Sequence, residues 1–136
     1  MDHKEHQEHK GLDPRVEAVC RQLLDSAFKV HKALGPGLLE TAYEHCLAHE
    51  LQSRGLSVAR QLALPIRYDG LELDAGYRLD LVVERQVVVE LKAVEALTRL
   101  HEAQVLTYLK LSGHRIGFLM NFNVILLKQG IRRLVL

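Results

Sequence analysis

The stretch that decides the fold is YRLDLVVERQVVVELKAV, residues 77–94. Side chains of a β-strand alternate between its two faces. The odd-numbered residues of this stretch are apolar except for Arg85, in the turn, so this face is predicted to be core: Tyr77, Leu79, Leu81, Val83, Val87, Val89, Leu91 and Ala93. The even-numbered residues mix charged side chains with Val82, Val88 and Val94. The pattern predicts a β-hairpin whose second face is only partly exposed, since a fully solvated face does not need valines.

The length of the turn determines which residues lie opposite each other in this hairpin. A two-residue turn would pair Asp80 with Leu91 and so place a polar side chain opposite a core side chain. A three-residue turn over 84–86 pairs Asp80 with Glu90 and keeps the apolar face uniform, and a slip of one residue would lose that match. The same register pairs Val83 with Val87 and Arg78 with Lys92. We therefore predict that the carboxylates of Asp80 and Glu90 lie side by side.

Two carboxylates at opposite positions repel each other. Their Cβ atoms lie about 5 Å apart, and at an effective dielectric constant of about 20 two unit charges at that distance repel by roughly 3 kcal/mol. Lys92, two residues after Glu90 on the same face, offsets one of the two negative charges. A divalent cation would complete the compensation, and oxygen ligands favour Mg²⁺, for which Mn²⁺ can substitute, over Zn²⁺. The alternative is an ordinary solvated sheet face with ion pairs between its strands.

The remaining hydrophobic pattern predicts an α/β (α+β) domain in the order ααβββαββ, with a mixed central sheet of four to five strands flanked by helices. Helical spacing is found over 14–34, 39–51 and 99–112. Strand patterns cover 58–68, bent at Pro65, and also 71–83, 87–93, 115–121 and 131–136. Asp13-Pro14 is typical of a helix start, and Gly55 and Gly113 are typical helix stops. Asp69-Gly70 is a hairpin turn signal.

Composition limits the class of protein. The chain has 136 residues, of which 48% are hydrophobic and 26% charged, which fits one folded domain over 13–136 after a disordered tail over 1–12. The formal net charge of +1 argues against nucleic-acid binding by charge alone. We expect no membrane span, no secretory signal and a reducing, cytoplasmic location, since apolar runs are short and there are only two cysteines.

Histidines and cysteines offer other chemistries, each with a simpler explanation. Three histidines in the tail, His3, His6 and His9, are interpreted as part of a solvated terminus rather than a metal tract. His45 and His49 have zinc-like spacing, but no third ligand is evident, so we expect solvated side chains. The cysteines, Cys20 and Cys46, fit small buried side chains rather than nucleophiles. Tyr43 fits a core aromatic or a functional residue equally well.

Several of these residues together resemble the PD-(D/E)xK nuclease superfamily and, more narrowly, its GxxExxY group of small proteins. The name-giving motif is GLLETAY, residues 37–43. The superfamily signature is matched by Asp80 and by ELK at 90–92, although Leu79 stands where the superfamily's proline would be. Gln104 and Tyr108 match the group's pattern on the following helix.

The resemblance implies a restriction-endonuclease-like core that hydrolyses phosphodiester bonds of DNA or RNA with Mg²⁺. Lys92 would orient the attacking water and stabilise charge on the phosphate. Gln104 and Tyr108, four residues apart on one helix face, would support Lys92 or the phosphate. The cation ligands that the resemblance implies are Asp80, Glu90, the backbone carbonyl of Leu91 and, through the metal or its waters, Glu40.

Two questions stay open at this point. The same scaffold could be a catalytically silent module that binds nucleic acid or protein, although seven aromatic residues without Trp argue against recognition by base stacking. The apolar strand predicted at 131–136 could lie at a sheet edge and pair with a second copy to form a homodimer.

Overall fold

A computed structural model describes residues 12–136. The predicted tail, except for its last residue Leu12, lies outside the described residues, and so do its three histidines. The described chain forms three helices: α1 (Pro14–Leu34), α2 (Glu40–Ser53) and α3 (Arg99–Ser112). Its strands are β1 (Val58–Ala63), β2 (Ile66–Tyr68), β3 (Leu71–Leu73), β4 (Arg78–Val83), β5 (Val87–Lys92), β6 (Ile116–Asn121) and β7 (Ile131–Val135). A 3-10 helix, Leu127–Gly130, precedes β7.

Local capping chemistry sets the helix ends close to where the sequence predicts them. The side chain of Asp13 accepts the N–H of Arg15 at 2.7 Å and caps α1. Thr98 caps α3 in a reciprocal arrangement with His101. Gly113 ends α3 in the left-handed conformation at φ 78°, which a residue with a Cβ rarely adopts.

Five strands form the central sheet in the order β1-β4-β5-β6-β7. Among the described strands only β5 and β6 pair in parallel, so the sheet is mixed, as predicted. β2 and β3 form a separate hairpin, because two of the predicted strands each break in two. The first break is at Leu64-Pro65, where proline has no N–H to give to a ladder. The second follows Asp74, whose carboxylate accepts the N–H of Gly76 at 3.1 Å and forms a turn.

Both faces of the sheet are covered, each by its own apolar core. α1 and α2 pack on one face, around side chains such as Leu81, Val83 and Val89. α3 packs on the other, around Val82 and Val88. Of the valines on the even-numbered face, Val82 and Val88 are therefore buried and Val94 is half-buried. β7 lies at an edge of the sheet, as expected.

The prediction of one uniform core face is wrong at the start of β4. Tyr77 is 46% exposed, and Leu79 packs beneath α3 rather than with Leu81. In the β1–β4 ladder, the residues before and after Gln61 pair with Leu81 and Leu79. Gln61 itself has a left-handed backbone, with φ 52°. This left-handed residue of β1 lies opposite Asp80, the point in β4 where strict alternation of side chains fails.

Candidate active site

The hairpin of β4 and β5 opens where its two acidic residues lie. The predicted register is confirmed over Val83↔Val87, Val82↔Val88 and Leu81↔Val89, where the backbone pairing ends. Beyond it the Asp80 N–H donates to Glu90 Oε2 at 2.9 Å, and the Leu91 N–H donates to Asp80 Oδ2 at 2.8 Å. Each carboxylate thus binds the backbone of the opposite strand, and the two acids are held together at the mouth of the hairpin.

The predicted pairing of Arg78 with Lys92 is not formed. Arg78 pairs instead with Ala63 of β1, and its guanidinium lies 3.6 Å from the carboxylate of Asp74. The strands diverge at the acids because side chains have replaced the ladder there. That divergence frees Lys92 to turn towards α3.

Burial and mutual repulsion make the acidic pair hard to ionise. Glu90 is only 4% exposed, and desolvation, followed by the charge of Asp80, raises its pKa to about 8. Desolvation also raises the pKa of Asp80, with the Leu91 N–H acting in the opposite direction. Without a cation, both carboxylates are therefore harder to ionise than free side chains.

Lys92 is linked to α3 by one hydrogen bond, and a second hydrogen bond within the helix holds its partner. Its Nζ donates to Gln104 Oε1 at 3.2 Å, and Gln104 Nε2 donates to Tyr108 Oη at 3.3 Å. Desolvation, and then the charge of Glu90, raises the pKa of Tyr108. The structure thus brings together the three residues expected to act as a unit, on the α3 side of the acids.

Glu40 lies on the other side, at the exposed first residue of α2. Its charge contributes to the raised pKa values of Asp80 and Glu90, and it lines a shallow depression with Ala93, directly after β5. Among residues 12–136, however, no three His, Cys, Asp or Glu side chains are grouped closely enough to hold a metal ion between them. A cation here would have Asp80 and Glu90 as its close carboxylates, and Glu40 as a direct ligand stays a prediction.

The sequence reasoning missed a second acid on α2. Glu44 is 6% exposed and accepts hydrogen bonds from Arg60 Nη2 at 3.0 Å and from Gln61 Nε2 at 2.7 Å. Gln61 also donates to Asp80 Oδ1 at 3.3 Å, so Glu44 reaches the acidic pair through one amide. Its spacing of one helical turn from Glu40 was the only available signal, because its partners come from β1.

The other singled-out residues have structural surroundings. Tyr43 is fully buried, donates to the Gly35 carbonyl at 2.6 Å and accepts the Leu38 N–H at 3.1 Å, so it fastens the turn before α2. His45 and His49 are exposed, as expected. Burial raises the pKa of the Cys20 thiol to about 11, which leaves it a poor nucleophile.

Comparison with known proteins agrees with this geometry. Over residues 12–136 no helix is both long and apolar enough to cross a bilayer. Curated proteins and solved structures give no match to the chain. The family model of the PD-(D/E)XK nuclease superfamily matches residues 17–134, which include the predicted site residues Glu40, Asp80, Glu90, Lys92, Gln104 and Tyr108. With that match and a mixed five-stranded sheet between helices, the chain belongs to the PD-(D/E)XK nuclease superfamily.

Proposed function

We propose that this protein is a Mg²⁺-dependent nuclease of the GxxExxY type that hydrolyses phosphodiester bonds of nucleic acid. The observation that carries the proposal is the reciprocal bonding of Asp80 and Glu90 at the mouth of the β4–β5 hairpin, with Lys92 held beside them by Gln104. Belonging to a nuclease superfamily supports nucleic acid as the substrate.

The donor set fits a small, hard cation. The ligands offered are carboxylate oxygens and the nearby carbonyl of Leu91, and Mg²⁺ is commonly held by one or two carboxylates while keeping several waters. Glu40, Asp80 and Glu90 against the single ammonium of Lys92 give a formal charge of −2, which one divalent ion would neutralise. When bound, such an ion would offset phosphate charge and lower the pKa of a coordinated water.

The protein's own groups then have distinct tasks. Lys92 presents its ammonium from the end of β5, where it can donate to an anionic phosphate oxygen or orient the attacking water. Gln104 fixes the position of that ammonium and is itself held by Tyr108. Glu44 and Gln61 fix the orientation of Asp80 from the opposite side of the sheet.

Cleavage assays with Mg²⁺ or Mn²⁺ on DNA and RNA, single- and double-stranded, test the proposal. We expect Lys92→Ala to lower cleavage about 100- to 1000-fold, as removal of one preorganised donor does elsewhere. Lys110→Ala is the matched control, because Lys110 is an exposed lysine near the end of α3. Equal cleavage by Lys92→Ala and by the wild type would contradict the role of Lys92.

Calorimetric titration separates a metal site from a merely polar sheet end. Mg²⁺ or Mn²⁺ should bind the wild type and fail to bind Glu90→Ala, whereas Glu95→Ala, which removes an exposed acid, should bind normally. Nucleic-acid binding without any metal binding or cleavage would favour the catalytically silent module instead.

A further inference from the structure

A groove of about 820 Å³ runs along α3 beside the catalytic residues. One wall is a face of α3 that includes Leu100, Ala103 and Leu111. The other wall is the β2–β3 hairpin and the segment leading into β4, with Leu73 and Tyr77. The groove volume lies within the range of about 300–1,000 Å³ that is usual for small-molecule sites.

The two parts of the groove differ in chemistry. Lys92, Gln104 and Tyr108 form a polar part that adjoins the acidic pair. The rest of the lining is mostly apolar and open, with Leu100 77% exposed and Leu73 48% exposed, and also includes His101 and Thr107. An occupant that satisfies both parts carries an anionic group at Lys92 and a flat, weakly polar group against the apolar part.

We propose, on the basis of the proposed function, that this groove binds an unpaired nucleobase of the substrate while the adjoining phosphate lies at Lys92. Tyr77 is 46% exposed and contacts Tyr108 edge to face, with ring centroids 6.3 Å apart at 65°. That contact fixes the Tyr77 ring, whose exposed surface is available for a base to stack on. Two of the chain's four tyrosines thus meet in this groove, although the composition alone argues against base stacking.

The charges of the groove favour a single strand over a duplex. Lys92 is the only lysine or arginine among the described residues that line it. Two nearby arginines are engaged with acids, Arg67 with Glu72 at 3.1 Å and Arg78 with Asp74 at 3.6 Å. Duplex binding depends on many phosphate contacts, whereas a single strand gains affinity from stacking on aromatic rings. In a duplex the base would also be paired and unable to enter.

Equilibrium binding in EDTA tests the groove without cleavage of the probe. Fluorescence anisotropy measures the affinity of the protein for four probes. They are a short oligothymidylate, an oligouridylate, a deoxyribose-phosphate backbone of equal length without bases, and a duplex. We expect the wild type to bind the strands with bases more tightly than the abasic backbone and the duplex. Tyr77→Ala should lose about 5- to 150-fold in affinity for the strands with bases only. Tyr77→Phe should keep that affinity, because it retains the stacking surface.

Tyr68→Ala is the matched control, since Tyr68 is 75% exposed on the same hairpin and does not line the groove. Ala103→Trp should also weaken binding, by filling the groove without truncating a side chain. Equal binding of the abasic and base-bearing strands, or no effect of Tyr77→Ala, would overturn the groove inference even if the wild type cleaves nucleic acid. A clear base preference in a protein that cleaves nothing with Mg²⁺ or Mn²⁺ would instead overturn the proposed function alone.

Discussion

Replacing Glu90 by glutamine should stabilise the metal-free protein at high pH. Burial raises the pKa of Glu90 from 4.5 to about 8. The folded state therefore binds the carboxyl proton of Glu90 more tightly than the unfolded state does. Between pH 4.5 and about pH 8 the unfolded chain has released this proton while the folded protein retains it. The free energy of unfolding falls as pH rises through that window. Since one pKa unit corresponds to about 1.4 kcal/mol, the loss attributable to Glu90 is about 5 kcal/mol by pH 9.

Glutamine keeps the shape of the side chain and does not ionise. In EDTA, the free energy of unfolding in urea should be the same for Glu90→Gln and the wild type near pH 5. At pH 9 it should be higher for Glu90→Gln, by up to about 5 kcal/mol. Mg²⁺ should reduce this difference at pH 9, because the ion binds the ionised site of the wild type. Glu95→Gln, at an exposed acid, should follow the wild type throughout.

Other groups also titrate, so the difference between the two proteins is the informative quantity. Burial lowers the pKa of His114, which makes stability rise with pH through the range where histidine loses its proton. The raised pKa of Asp80 acts in the same direction as that of Glu90. The His114 contribution is present in both proteins and cancels in the comparison. Asp80 is coupled to Glu90, so any change in its titration belongs to the measured difference. If wild type and variant lose stability in parallel between pH 5 and 9, the electrostatic reasoning is refuted.

Three further predictions concern residues that hold the site or the fold in place. Tyr43→Phe removes the hydroxyl that joins Gly35 and Leu38. The free energy of unfolding in urea should fall by about 1–3 kcal/mol. An unchanged value would contradict the role of this hydroxyl in fastening the turn. Glu44→Ala removes the acceptor that positions the Gln61 amide, which is bound to Asp80. Calorimetry should show about 10- to 100-fold weaker Mn²⁺ binding. Unchanged Mn²⁺ affinity would mean that Glu44 is a purely structural residue. Gly130→Ala would drive a Cβ into the carbonyl oxygen of Asn121. Thermal unfolding should show a much larger loss of stability than for Gly70→Ala, which meets open space and is strained only by its φ of 83°. Equal losses of stability would refute the clash.

The sequence was most informative where a short-range rule permits one arrangement. The hairpin register followed from its apolar face, because any slip by one residue exposes that face to polar partners. Helix ends followed from Asp13 and Gly113, whose capping contacts lie within a few residues. These rules act locally, so they can be applied without knowing what packs above or below.

Features that depend on distant partners were not predictable in this way. From the sequence alone Glu44 looks like a solvated helix residue, because its partners Arg60 and Gln61 lie on a strand some sixteen residues later. A positive φ at Gln61 has no sequence signature, since the residue is not glycine. Gln61 lies opposite Asp80, where alternation fails in β4, and Leu79 was therefore assigned to the wrong face. The groove beside Tyr77 likewise requires knowing that the β2–β3 hairpin stands opposite α3.

The acidic pair is better explained by binding than by stability. The N–H groups of Asp80 and Leu91 need acceptors, but an ordinary backbone ladder would supply them without burying carboxylates. Instead the chain ends the ladder at Leu81↔Val89 and places two acids where ionisation opposes folding. A valine at either position would remove that cost, as at the neighbouring pair Val82↔Val88. An arrangement that weakens the empty protein is expected where a cation, not the fold, stabilises the charges.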